Sequence, residues 1–243
     1  MTTEDVRISK KSEHVLVVTL NRPDHGNALT AEMASAIQQA LSSMDAETRV
    51  VLLEAAGENF CTGRSGAMPK AGSRATALDL RLAVSDPVLD FYEALRSVPV
   101  PVVARVQGRA TGVGCAIAAL ADVAIAAESA SFQVPEMNHD IAPTLVMSAL
   151  ADRIPRAALS RLVLTRDAVA AHEAKVLGLI GLVVPDDKLE AETDRIIGQL
   201  AGNSLPVLRA VKAFLRTSPE TSFASRKELA ALMNCVATAE RFR

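Results

Sequence analysis

Hydrophobic positions along the chain fall into two rhythms: short β-branched runs, and longer stretches that repeat at helical spacing. Residues 14–20 (HVLVVTL) are the first apolar run and predict a strand ending in the turn NRPDHGNA. From Thr30 onward, Met33, Ile37, Leu41 and Met44 recur on one helical face, which predicts an amphipathic helix capped by Thr30. Residues 50–57 (VVLLEAAG) predict a buried strand stopped by Gly57, with a glycine-containing turn over 58–66 behind it. Residues 67–77 (AMPKAGSRATA) are small, polar and broken by Pro and Gly, which predicts a mobile surface segment. A helix is expected over 86–96, ending ahead of Pro99 and Pro101.

The most informative pattern runs over 102–136, VVARVQGRATGVGCAIAALADVAIAAESASFQVPE. It opens as a buried strand, passes through a Gly-rich turn over 108–114, and continues as CAIAALA, a short helix apolar on every side. DVAIAAE and SFQV predict two more strands, and Pro135-Glu136 closes the run. A strand, a glycine turn and a helix N-terminus together aim backbone N–H groups at one point, where an anion or a developing oxyanion can sit. A single carboxylate, Glu136, then follows at the end of an apolar run.

Beyond it, residues 137–143 predict a loop, and TLVMSALADRI, RAALSRLVL and AHEAKVLG three helices. LIGLVVP predicts a last strand. From Asp187 onward the pattern is helical throughout, with Ser204 and Ser218 as expected N-caps, the latter followed by Pro219 at the first helical position. The coarse division is an α/β core over 1–186 and a helical C-terminal region over 187–243.

Composition narrows the function classes. With 49% hydrophobic and 22% charged residues, the 243-residue chain is an ordinary globular protein able to bury a full core. A net charge of -2 leaves no basic footprint for nucleic acid. No apolar run reaches the ~20 residues needed to cross a bilayer, so no membrane association is expected. The N-terminus MTTEDVRISKKSEH has early acids and no apolar stretch of a signal peptide. Cys61, Cys115 and Cys235 are odd in number and far apart, which predicts reduced thiols in a cytoplasmic protein and no disulfide framework or zinc site; Cys61 and Cys115, flanking a buried strand and helix, read as small core residues. The four histidines show no metal-ligand spacing, so no metal is expected.

The turn over 108–114 reads G-x-x-x-G-x-G, which does not fit the dinucleotide pattern G-x-G-x-x-G, and neither a nucleotide phosphate loop nor a serine-nucleophile elbow is present. Taken singly, the glycines are explained by tight turns and Glu136 by a solvated position near a helix start. Four segments in order change that reading. LNRPDHGNALT, ENFCTGRS, VQGRATGVGCAIAALADVAIAAESASFQVPE and LTRDAVAAHEAKVLGLIGLVVP resemble, at compatible separations, the segments of the enoyl-CoA hydratase/isomerase (crotonase) family.

The resemblance implies an α/β fold, a crotonase-like spiral of β-β-α units with a helical C-terminal trimerisation region, assembled as a homotrimer or as a hexamer of two trimers. It implies an acyl-CoA thioester as partner, coenzyme A arriving as part of the substrate with no permanently bound cofactor, and a place in fatty acid metabolism. The thioester oxygen would lie between the backbone N–H groups of Arg64 and Val113, where the family more often has Gly at the latter position. Glu136 falls on the family's second catalytic carboxylate, and Ala116 stands where the first would be. One base suits double-bond isomerisation, which moves a proton between two carbons. 2-Enoyl-CoA hydration, a lyase activity, is the alternative, and a catalytically idle acyl-CoA-binding subunit is another. Asp140 is a candidate second carboxylate oriented by His139; the other reading makes it a loop residue capping a turn. Arg22, Ala28, Gly63, Ser65, Gly112 and Lys212 are the positions expected to hold coenzyme A, with Arg22, Arg64 and Lys212 as phosphate partners. The acyl pocket wall is expected from residues 67–90 and a neighbour's C-terminal helices.

Overall fold

The structure is a computed structural model that describes residues 4–66 and 72–242. Strand β1 (Val6–Ser12) turns directly into β2 (Val15–Leu20), followed by helix α1 (Ala31–Ser42) and β3 (Val50–Ala55). Helix α2 (Ala77–Leu80) runs through a π turn (Arg81–Ser85) into α3 (Asp86–Arg96). Then come β4 (Val102–Val106), β5 (Arg109–Thr111), α4 (Val113–Leu120), β6 (Val123–Ala127) and β7 (Ser131–Gln133). The remainder is α5 (Thr144–Leu150), α6 (Arg156–Thr165), β8 (Val169–Ala170), α7 (Ala171–Val176), β9 (Leu182–Val184), α8 (Leu189–Ala201), α9 (Leu205–Thr217) and α10 (Phe223–Ala239).

The strands form a six-stranded sheet ordered β1-β2-β3-β4-β6-β9 and a three-stranded sheet ordered β5-β7-β8. In the large sheet only β1 pairs antiparallel. Alternation explains why β2, β3 and β4 read as unbroken apolar runs. Leu16, Val18, Val51, Leu53, Val102 and Ala104 face the main core, while Val15, Val17, Val50, Leu52 and Val103 face Leu189, Ile196 and Ile197 of α8. A parallel sheet covered on both sides has no polar face to show.

The spiral of β-β-α units is visible in the connections. Both β4-β5-α4 and β6-β7-α5 send a first strand to the large sheet and a second to the small one. Two single bridges, Cys61 with Ala110 and Leu29 with Arg64, give the earlier turns of the chain the same second step. The second-strand positions therefore stack side by side, and the turns that leave them gather at one place.

Several sequence expectations shift. β1 was not predicted: it is an edge strand with only Val6 buried, and its lysines carry the polarity of an exposed edge. Helix α4 starts at Val113 rather than Cys115, and β5 occupies part of the expected glycine turn. Of the expected mobile segment, residues 67–71 lie outside the described residues, and Ala77 already belongs to α2. That helix is started by a capping box in which Thr76 and Asp79 exchange hydrogen bonds. Ser218 does not cap a helix; it ends α9, and Ser222 instead accepts from the Ser225 N–H at the start of α10. Ser204 holds the cap position of α9 without a side-chain hydrogen bond, whereas Thr30 caps α1 by accepting from Met33 at 3.2 Å.

Candidate active site

Three turns converge on one cleft. The first leaves Cys61, whose N–H donates to the Arg109 carbonyl at 3.1 Å and whose carbonyl accepts from Thr111 at 2.9 Å. Further along, Leu29 donates to the Gly63 carbonyl at 2.9 Å and accepts from the Ser65 N–H at 2.8 Å. In a parallel bridge of this kind, Leu29 bonds to the residues on either side of Arg64, so the N–H of Arg64 itself points the other way. Among the described residues it has no acceptor.

The second turn leaves Ala110, the partner of Cys61. Gly112 takes φ +54° and ψ −114°, a backbone that side chains rarely adopt, and its N–H is fixed on the Gln133 carbonyl at 2.9 Å. Val113 is then the first residue of α4, so its N–H has no partner within the helix. The usual Gly at 113 is not required here. Val113 is not among the residues with positive φ, and the left-handed backbone falls on Gly112. Arg64 and Val113 thus stand at equal steps beyond the paired Cys61 and Ala110, and a Cβ on Gly112 would come within 4.0 Å of the Gly63 Cα. Gly114 lets the helix approach this closely: a Cβ there would lie 2.1 Å from the Cys61 carbonyl oxygen.

The third turn follows β7 and brings Glu136 in as the first residue of a 3-10 turn, Glu136–His139. Its Oε1 lies 2.6 Å from where a Cβ on Gly112 would sit. Its Oε2 is buried and has no hydrogen-bond partner. Burial pushes the carboxyl above the ordinary carboxylate range, and no cation is paired with it among the described residues. The cleft has a volume of about 310 Å³ and is lined by Gly63, Arg64, Gly112, Val113 and Glu136. Val84, Val88 and Tyr92, one face of the π turn and α3, make one wall, and Ile141, Leu145 and Val146 another. Cys61 and Cys115 are fully buried, with thiols pushed up by burial to about 11 and about 12, which keeps them neutral.

Other sequence candidates fall elsewhere. Asp140 is exposed, takes φ +55° and ends the 3-10 turn; it does not line the cleft, so the second-carboxylate reading is corrected to a turn terminator. A short polar side chain tolerates that left-handed backbone, which accounts for an Asp at this place. Lys212 is also corrected. It is 6% exposed on α9, donates to Asp122 Oδ2 at 2.6 Å and does not line the cleft, so its charge is committed to a buried pair. Asp122 Oδ2 also accepts from the Val102 N–H at 2.7 Å. Lys212→Met is expected to destabilise the protein by about 3 kcal/mol, because it leaves a buried carboxylate without its cation. A lowered thermal midpoint with unchanged acyl-CoA affinity is the expected result; weaker affinity at an unchanged midpoint would return Lys212 to the binding site.

Arg22 and Ala28 lie outside the cleft lining but beside its rim, on the loop whose Leu29 pairs with Arg64. Arg22 donates to the Ala28 carbonyl at 3.4 Å and reaches Asp5 at 3.7 Å. Ser65 belongs to the same rim, its N–H committed to Leu29.

Two residues carry more than the sequence reading assigned them. Asn27 is fully buried, accepts from the Arg22 N–H at 2.7 Å and donates to the Ala56 and Asn59 carbonyls at 2.8 and 2.7 Å, which ties the rim loop to β3 and the turn behind it. Its signal was Asn in a tight turn at φ +55°. Tyr92 had only a helical apolar stripe to announce it, yet its hydroxyl is buried in the cleft wall without a partner.

The sequence profile of the family described as Enoyl-CoA hydratase/isomerase matches residues 10–240. Enoyl-CoA hydratase domain-containing protein 3, mitochondrial, from Xenopus laevis is 29% identical over 198 residues, covering 81% of this chain and 66% of that protein. The Homo sapiens protein of the same name is 31% identical over 206 residues, covering 84% of this chain and 67% of that protein. The chain thus spans about two thirds of the length of these relatives. The crystal structure of an enoyl-CoA hydratase from Mycobacterium smegmatis superposes with a TM-score of 0.89 at 28% identity, covering 96% of this chain and 91% of that one.

The expected cytoplasmic compartment does not stand, because the vertebrate relatives are named as mitochondrial proteins. Unpaired cysteines report a reducing environment, and that property does not separate one reducing compartment from another.

Proposed function

Because the chain belongs to the enoyl-CoA hydratase/isomerase family, we propose that its cleft holds an acyl-CoA thioester and that Glu136 moves a proton on the acyl chain. The thioester oxygen accepts from the N–H groups of Arg64 and Val113. When Glu136 removes the proton at C2 of a 3-enoyl thioester, the electron pair delocalises onto that oxygen, which the two amides stabilise. The proton returns at C4, and the double bond then lies between C2 and C3. Nothing is consumed and no second acid is needed.

The observation that carries this reading is the isolation of Glu136: it is the carboxylate lining the cleft, desolvated and unpartnered, and Ala116 is a fully buried methyl on α4. Desolvation raises the carboxyl above its ordinary range, which makes it a stronger proton acceptor than a solvated carboxylate. One base and two amides favour isomerisation over hydration. The rim formed by Arg22, Ala28 and Gly63–Ser65 is the proposed seat of the coenzyme A moiety. Exposed Val211, Leu215, Leu232 and Val236 on α9 and α10 support a homotrimer packed through these helices.

Parallel assays on a 3-enoyl-CoA and a 2-enoyl-CoA of equal chain length test the reaction. Faster double-bond migration than water addition is expected; the reverse order would replace isomerisation by hydration, and turnover of neither would leave a binding subunit.

A further inference from the structure

We infer that Tyr92 is a specificity residue, its hydroxyl donating a hydrogen bond to an uncharged oxygen on the acyl chain of the substrate. The inference rests on the proposal that the cleft holds an acyl-CoA, and extends it to the class of acyl group.

Four observations carry it. Tyr92 is 4% exposed and lines the cleft from α3 together with Val88, beside Val84 of the π turn. Its hydroxyl is buried without any hydrogen-bond partner. Buried tyrosine hydroxyls ordinarily find one, so a hydroxyl left alone in the wall of a cleft is a donor without its acceptor. Burial first, and the nearby charge of Glu136 second, hold the phenol well above its ordinary value, so it stays protonated and presents its O–H.

The same surroundings choose the acceptor. Glu136 is close enough to act on the Tyr92 hydroxyl and is itself desolvated. Val84, Val88, Leu145 and Val146 make the apolar walls; Arg64 and His139 also line the cleft, and the Arg64 charge acts on the Tyr92 hydroxyl more weakly than that of Glu136. The Arg64 guanidinium is turned to the Ala83 carbonyl at 3.5 Å. A carboxylate on the acyl chain would place a second negative charge beside the desolvated Glu136, and a plain hydrocarbon chain would leave the hydroxyl unpaired. A hydroxyl or keto oxygen satisfies the donor at no charge cost.

The test compares butyryl-CoA with 3-hydroxybutyryl-, 3-oxobutyryl-, 4-hydroxybutyryl- and succinyl-CoA by titration calorimetry, in the wild-type protein and in Tyr92→Phe. At least one uncharged oxygenated thioester is expected to bind wild type about tenfold or more tightly than butyryl-CoA, since a site built to pair a hydroxyl rejects the analogue lacking one. Succinyl-CoA is expected to gain nothing over butyryl-CoA. In Tyr92→Phe the preference disappears, because the donor is gone. The thermal midpoint of this variant should be no lower than wild type, because the hydroxyl it removes supports no other group. The same preference in both proteins, no preference in wild type, or a lowered midpoint would overturn the inference. Absence of butyryl-CoA binding in the wild-type protein would overturn the acyl-CoA reading beneath it.

Discussion

Glu136→Gln is expected to lower kcat by about 10²–10⁴-fold, the range that a positioned acid/base contributes, with acyl-CoA affinity retained. Gln keeps the shape of the side chain and removes the proton acceptor. The substitution also has a thermodynamic signature with a definite sign. Burial raises the Glu136 pKa in the folded chain above its unfolded value. Between those two values the folded state therefore binds more protons than the unfolded state, and stability falls as pH rises through the window. Gln carries no such penalty. Glu136→Gln should melt above wild type at neutral pH, and the gap should close below the ordinary carboxylate range. For the wild-type enzyme, the acid limb of kcat/KM should lie above that ordinary range. A variant that turns over normally, or that melts below wild type at neutral pH and above it in acid, would remove Glu136 from this role.

Val113→Pro is expected to lower kcat by about 10²–10³-fold, the loss that follows removal of one oxyanion donor. Backbone donors usually escape mutagenesis, but this one sits at the first position of α4. Proline is tolerated there because that N–H has no helical acceptor and the ring matches helical φ. Val113→Ala, which keeps the N–H and loses the side chain, is the control and should retain most of the turnover. A similar loss in both variants would assign the effect to cleft packing; full activity in Val113→Pro would remove the second amide from the mechanism.

How much of this was legible in the chain depends on whether a residue's role is local. The buried strands read directly because α8 covers the face of the sheet opposite the main core, so nearly every position of β2 and β3 is apolar. Gly112 and Gly114 read directly as well. One needs a left-handed backbone and the other a helix start with no Cβ, and both demands fall within one turn. Edge strand β1 was lost because its exposed lysines have no inner face to alternate against. Lys212 and Asp140 misled for different reasons. The partner of Lys212 is Asp122, 90 residues away in sequence, so no local pattern marks the charge as already committed. Asp140 has the chemistry of an acid but the backbone of a turn end. Tyr92 could not be told from core packing by spacing, because what distinguishes it is a missing partner, and that is a property of the folded surroundings.

Deuterium exchange at the α-carbon of butyryl-CoA in D₂O, followed by proton NMR, reaches the central claim most directly: two backbone amides hold the thioester oxygen while Glu136 takes the neighbouring proton. Exchange well above the uncatalysed rate with wild type, and none above it with Glu136→Gln, is the predicted result. Equal exchange with both proteins, or none with a wild-type protein saturated with butyryl-CoA, would contradict it.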